Sequence, residues 1–221
     1  MRAQGLNWWR CQQLAEQVFF CRAANPRKML EIGPGDYAVT AIFRNFGVEV
    51  ETVDIRNDKR ATYVGDIRDP NLVKRLPRDS YDLVLASEVL EHMNFEYLDE
   101  ILRTFHAVLK KDGHVVIGLP YHTVSFSYRR SRLFFRGGVI MTGIPIQWLR
   151  DILFKTNPFK RLSYDAYEEH HWDLGYRPTR VRAVKRKMVR YFDILLFHHN
   201  WRASSGYFVL KKTASHEALM P

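Results

Sequence analysis

Residues 29–40, MLEIGPGDYAVT, constrain the fold more than any other stretch of this chain. A short apolar run, residues 29–32, breaks into Gly33-Pro34-Gly35, and helical spacing begins near Val39. Gly33 and Gly35 accept backbone angles closed to other residues and let a ligand lie against the main chain. In open α/β sheets, a turn like this at the carboxyl end of the first parallel strand is where nucleotides bind. A plain strand-to-helix turn has the same local look, so the residues downstream must decide between the two.

They repeat the theme. Residues 48–55, VEVETVDI, alternate and end on Asp54, so they read as a second strand with a carboxylate at its tip. Asp54 lies 19 residues after Gly35, the distance at which dinucleotide folds place the acid that accepts ribose hydroxyls. Residues 61–64 form a short strand running into Gly65-Asp66-Ile67. Residues 81–86, YDLVLA, are an apolar run but for Asp82, of the type a strand buried on both faces requires. Helical spacing over 97–109 ends at LKKDG, with Gly113 expected as its C-cap, and 114–119 form a strand stopped by Pro120. Ahead of all this, 6–24 has helical spacing, with Asn7 as N-cap, Asn25-Pro26 as terminator, and Leu14, Val18 and Cys21 on one face. Strand and helix thus alternate through residue 120, which predicts a doubly wound, mostly parallel sheet with helices on both faces.

Beyond Pro120 the pattern changes. Residues 121–178 mix aromatic and basic residues and read as an insertion on the substrate side, with a helix expected over 145–154. Thr179 is placed to cap a basic helix over 181–192, and 193–199 and 206–210 read as two closing strands joined by a turn through Ser204. The chain of 221 residues fits one domain: an N-terminal helix (1–26), a ligand-binding half (27–120), and the insertion with closing strands (121–221).

Charge follows the same division. Residues 1–119 carry a net charge of −1 and residues 120–221 a net charge of +11. Such asymmetry suits an anionic partner, whether nucleic acid, a phosphorylated substrate or a membrane surface, and equally suits a solvated face. No apolar run approaches the ~20 residues of a membrane span, and the first twenty residues lack the apolar stretch of a secretion signal. Two cysteines, Cys11 and Cys21, make neither a zinc site nor a disulfide framework; reduced thiols and a cytoplasmic setting are expected.

Taken together, LEIGPG, VDI, GDIRD, YDLVLASEVLEH and LKKDGHVVIGLP, in this order and spacing, resemble the class I S-adenosylmethionine-dependent methyltransferases. The likeness is strongest over 27–120 and holds in outline over 193–212. It implies a Rossmann-like seven-stranded sheet whose last strand is antiparallel. It also implies roles. Glu31, Gly33, Pro34 and Gly35 would form the cofactor loop and contact the methionine part. Asp54, with Ile55, would hold the ribose. Asp66 and the Ile67 amide would meet adenine, and Ser87 and Glu88 would face the methyl group. NAD competes for the same turn, because GPGDYA satisfies G-x-G-x-x-A, but no constellation for hydride chemistry accompanies it.

The sulfonium cofactor supplies an activated methyl group. The protein must align a nucleophile and, for a hydroxyl or amine, take its proton. In SEVLEH, Glu88 and His92 are four apart and Glu91 adjoins His92, so a helical turn would bring them to one side. With His171 from YEEHHWDLGY, Glu88 and His92 are the expected catalytic residues; His170 and His122 are further candidates. Similar E-x-x-E-H elements in ubiquinone-pathway O-methyltransferases and small-RNA 2′-O-methyltransferases hold a divalent metal. That resemblance leaves Mg²⁺ or Mn²⁺ open here, on Glu88, Glu91, His92 and His171, with His170 as the alternative to His171. Trp148, Trp172 and Trp201 could line an acceptor pocket or lie in the core. The expected acceptor is a small molecule or a sugar, including one linked to a phosphate-bearing carrier. RNA along the basic 177–192 stretch is the alternative, as is a non-catalytic scaffold using 126–138 at a membrane.

Overall fold

The computed structural model describes residues 8–57, 60–121, 125–128, 139–142, 170–175, 179–200 and 205–212. Seven strands form one sheet: β1 (Lys28–Ile32), β2 (Glu49–Asp54), β3 (Tyr63–Val64), β4 (Tyr81–Ser87), β5 (Leu109–Pro120), β8 (Asp193–Asn200) and β9 (Ser205–Lys211), in the order β3-β2-β1-β4-β5-β9-β8. Strands β6 (Ser125–Tyr128) and β7 (Val139–Thr142) pair antiparallel in a separate ribbon. Among the described residues the α-helices are α1 (Trp8–Ala23), α2 (Ala38–Asn45), α3 (Pro70–Arg75), α4 (Leu98–Val108) and α5 (Val181–Met188).

Strands β1 to β5 run parallel, with Leu30 opposite Glu51 on one side and Val84 on the other. β9 alone is reversed, pairing antiparallel with both β5 and β8. Alternation along each strand builds two cores. Met29, Leu83, Leu85, Val116 and Tyr207 face α1 and α2, where they meet Phe20, Cys21, Val39 and Phe43. Leu30, Val84, Val115, Ile117 and Phe208 face the other helices, against Leu72, Leu102, Phe105, Val184 and Met188. α4 shows how little choice its sequence had: Leu98, Ile101, Leu102, Phe105 and Val108 are buried at helical spacing, and Asp99 and Glu100 sit in the first turn, where the helix dipole favours them. α3 begins with Asp69 accepting from the Asn71 amide and Pro70 in the first turn.

Two cap expectations are corrected. α4 ends at Leu109, which is already extended, and the chain passes straight into β5. The left-handed residue is Asp112 (φ 62°), not Gly113, and the register of β4 against β5 shifts there between Tyr81 and Leu83. A turn inside a long strand thus does what a helix cap was expected to do. Thr179 does not cap α5: the N-cap is Arg180, with no side-chain bond, and Thr179 Oγ1 donates to the Asp173 carbonyl at 2.7 Å. The hydroxyl serves the loop before the helix instead. The expected helix over 145–154, together with Asn7, His122, Trp148, Trp201 and Ser204, lies outside the described residues.

Candidate functional site at the carboxyl edge of the sheet

The strand order reverses between β1 and β4, and the crevice outside their carboxyl ends is where this class of sheet binds ligands. The chain leaves β1 through a turn tied to β2 by the Gly33 amide, which donates to the Val53 carbonyl at 2.8 Å. Gly33 has φ +62°, and a Cβ there would lie 2.7 Å from Val89 Cγ2; both the angle and the space require glycine. The turn closes when the Tyr37 amide donates to the Pro34 carbonyl, and α2 starts.

Glu31, two residues before Gly33, is 5 % exposed and accepts a hydrogen bond from Thr40 Oγ1. Burial pushes its carboxyl up to about 7, with the Thr40 bond opposing the shift. Asp54 ends β2, 5 % exposed, and Arg56 grips both its oxygens, Nε at 3.2 Å and Nη2 at 2.8 Å. The same Nη2 donates to the Gly35 carbonyl at 2.8 Å, tying the β2 tip to the glycine turn. Asp66 repeats the device. Arg68 holds both its oxygens at 2.5–3.0 Å, and this bonding keeps the carboxyl below its ordinary value. Ile67 is buried, whereas Ile55 is 72 % exposed beside Asp54.

β4 ends at Ser87, whose Oγ accepts from Gln17 Nε2 of α1 at 2.8 Å. Glu88 then takes φ 53°, rare for a residue with a side chain. Its amide donates to the Gly118 carbonyl at 3.0 Å, and a turn of 3₁₀ helix, Leu90–His92, follows. Glu91 is wholly buried, and neither carboxylate oxygen accepts a hydrogen bond. Burial raises its carboxyl well above the ordinary value, with the charges of Glu88 and Asp173 adding to it. His92 Nε2 lies 3.9 Å from Glu91 Oε1, and the His92 ring meets that of His170 edge-on, with centroids 4.7 Å apart. His170 Nδ1 is 2.9 Å from Asp173 Oδ1, and Asp173 is itself buried.

Glu91, His92 and His170 can therefore offer one ligand atom each within 4.8 Å of one another. His171, expected in this role, is exposed and reaches the cluster through its backbone, its amide donating to the Glu91 carbonyl at 2.8 Å. Trp172 belongs to the core, its Nε1 donating to the Met93 carbonyl at 2.8 Å. His198 and His199 are strand residues of β8. The partners Asp173, Arg56 and Arg68 were not singled out from the sequence. The twice-repeated Asp-Ile-Arg, 54–56 and 66–68, was the signal that could have found the arginines.

The basic helix α5 is less open than its composition suggests. Lys187 and Arg190, just beyond the helix, pair with Asp99 at 2.5 and 3.1 Å, and Lys185 lies 4.9 Å from the centre of the Phe197 ring. Arg182 and Arg186 are exposed. Among the described residues, no helix is long and apolar enough to cross a membrane.

Residues 9–172 match the family model described as a methyltransferase domain. No curated protein matches the chain by sequence. Solved structures with the same fold include the N-methyltransferase NodS of Bradyrhizobium japonicum with S-adenosylhomocysteine, 11 % identical over 94 % of this chain and 89 % of that one, TM-score 0.56. A SAM-dependent methyltransferase from Archaeoglobus fulgidus is 17 % identical over 92 % and 94 %, TM-score 0.56. The 1,6-didemethyltoxoflavin-N1-methyltransferase of Burkholderia thailandensis is 14 % identical over 90 % and 78 %, TM-score 0.52. With its glycine turn, the acids at the ends of β2 and β3, and a family match over most of its length, the chain belongs to the methyltransferase-domain family and is an S-adenosylmethionine-dependent enzyme of the class I fold.

Proposed function

We propose that the chain transfers the methyl group to an oxygen of a small molecule, with Glu88, His92 and the 170–171 histidine pair on the acceptor side. The observation that carries this reading is the cluster of two buried carboxylates, Glu91 and Asp173, with two partly exposed histidines, His92 and His170, beside the end of β4. A hydroxyl is a poor nucleophile until it loses its proton, and a histidine oriented by a buried carboxylate is the usual device for taking one. When bound, the sulfonium cofactor would supply the methyl group to the acceptor oxygen and leave as the neutral thioether, and the acceptor's proton would pass to the base. His170, held by Asp173, is better supported for that role than the exposed His171. Glu31, Asp54, Asp66 and Ser87, with the glycine turn, hold and orient the cofactor in this reading. The neighbours bear on it only loosely: NodS and the didemethyltoxoflavin enzyme are named as N-methyltransferases, and the latter is described with a small-molecule substrate.

A divalent cation fits the same cluster, since Glu91 offers two buried oxygens without donors and the two imidazoles face it. Glu91, His92 and His170 would hold it, and when bound it would make the acceptor hydroxyl more acidic. The test is an acceptor screen with S-adenosylmethionine, the products read by mass spectrometry and NMR, run with and without chelator. Methyl on oxygen, with activity lost in His170→Ala, is expected. Methyl found only on nitrogen would overturn the reading, and activity unchanged by chelator would remove the cation from it.

A further inference from the structure

The face of the sheet that α1 covers carries a second polar cluster at the same edge. Gln12, Gln13, Glu16 and Gln17 stand at helical spacings of one and four, so they share a side of α1. Three of them reach strand ends. Gln17 Nε2 donates to Ser87 Oγ at 2.8 Å, and Gln13 Nε2 to Ser205 Oγ at 3.1 Å. Glu16 Oε1 accepts from Asn200 Nδ2 at 2.8 Å and lies 3.0 Å from His198 Nε2. The Tyr207 hydroxyl donates to the Gln13 carbonyl at 3.4 Å; burial raises its pKa, with the charges of Glu88 and Glu16 adding. Two oxygens of this cluster are buried and accept no hydrogen bond: Gln12 Oε1 and Glu16 Oε2. Buried acceptors normally find a donor, and leaving them without one is costly.

The position of the cluster says what could supply the donors. The cofactor residues end β1 to β4, whereas the α1 cluster lies over the ends of β4, β9 and β8, and Ser87 belongs to both. A molecule beyond the methyl group, on the α1 side, would meet Gln12 and Glu16 by parting the side chains that close their unpaired oxygens to solvent in this structure. Both present oxygen, which suits a ligand rich in O–H donors and not an anion. Side chains four apart on a helix start about 5–6 Å apart, a span that hydroxyls across one sugar ring can bridge.

We infer that Gln12 and Glu16 of α1 bind the methyl acceptor, and that the acceptor is a small polyhydroxylated molecule of monosaccharide size. This rests on the reading of the chain as an oxygen methyltransferase and narrows its substrate. The experiment titrates a panel of methyl hexosides and their single-deoxy analogues into the full chain saturated with S-adenosylhomocysteine, by saturation-transfer NMR and calorimetry. Wild type, Glu16→Gln and Gln12→Ala are compared. At least one hexoside is expected to bind, and each variant to weaken it by about ten-fold or more, with S-adenosylhomocysteine affinity within about two-fold of wild type. Gln12→Ala removes no hydrogen bond made by Gln12 Oε1, so it decides the matter if Glu16→Gln fails to fold. Hexoside affinity unchanged in the variants, or no hexoside binding at all, overturns the inference. So does Glu16-dependent binding of alkylammonium probes in their place. The two readings fail separately. Transfer to oxygen that ignores Gln12 and Glu16 sinks only this inference, whereas transfer to nitrogen alone sinks the one it rests on.

Discussion

Single residues set the character of the sheet's carboxyl edge. Glu31 is a carboxyl placed where charge is costly, and its proton is held to about pH 7 in the folded chain against an ordinary value of 4.5. Between those values the folded state binds a proton that the unfolded state has lost, so this group makes stability fall as pH rises through the window. The full effect is about 3 kcal/mol. Thermal unfolding of Glu31→Gln should show a flatter slope from pH 5 to 8 than wild type; identical slopes would remove Glu31 as the cause. Arg56 offers a second test. It occupies both oxygens of Asp54 with its own side chain half exposed, so under the proposal that Asp54 holds the ribose, the cofactor hydroxyls would compete with it. Arg56→Ala should tighten S-adenosylhomocysteine by roughly two- to five-fold, the ~0.5–1 kcal/mol of an ion pair whose cation is half exposed. Looser binding would mean that the arginine's tie to Gly35 matters more than its competition.

At the scale of elements, the edge works because β4, β5 and β9 approach closely there. A Cβ at Gly118 would lie 2.3 Å from Ser87 Oγ and 2.8 Å from Tyr207 Cε1. Gly118→Ala should therefore push Ser87 and its α1 partner Gln17 aside. We expect ~1–3 kcal/mol lost in denaturant unfolding and turnover reduced well beyond what that destabilisation explains; wild-type turnover would show that Ser87 has room to move. Far from the site, Lys212 closes the opposite end of β9. It is buried, and its Nζ donates to the Leu109 carbonyl at 2.7 Å and to Asp79 at 2.9 Å. Lys212→Met leaves that carbonyl without its donor and should cost ~1–3 kcal/mol in chemical denaturation without changing cofactor affinity. A change in affinity would mean that strain travels along β9.

Over the whole molecule, what could be read from the sequence was what local patterns encode. The apolar runs that became β1, β4 and β5, the glycine turn, and the acids at the tips of β2 and β3 all announce themselves within a few residues. What could not be read depends on neighbours distant in sequence. His170 and not His171 meets His92 because the His171 amide is committed to Glu91 some eighty positions earlier. Thr179 turns to Asp173 instead of to the helix after it. α1 was read for its apolar face, but its Gln and Glu side reaches Ser87, Ser205 and Asn200 across the fold. The charge excess of the C-terminal half is likewise partly spent within the molecule, at Asp99 from α4.

The most direct test is calorimetric titration of S-adenosylhomocysteine into wild type and Asp54→Asn. The account predicts micromolar affinity, about −8 kcal/mol, weakened about ten-fold or more by the loss of one carboxylate oxygen's charge and bonding. Equal affinity in the two proteins, or no binding to a folded wild type, would contradict a cofactor site at the carboxyl edge of the sheet.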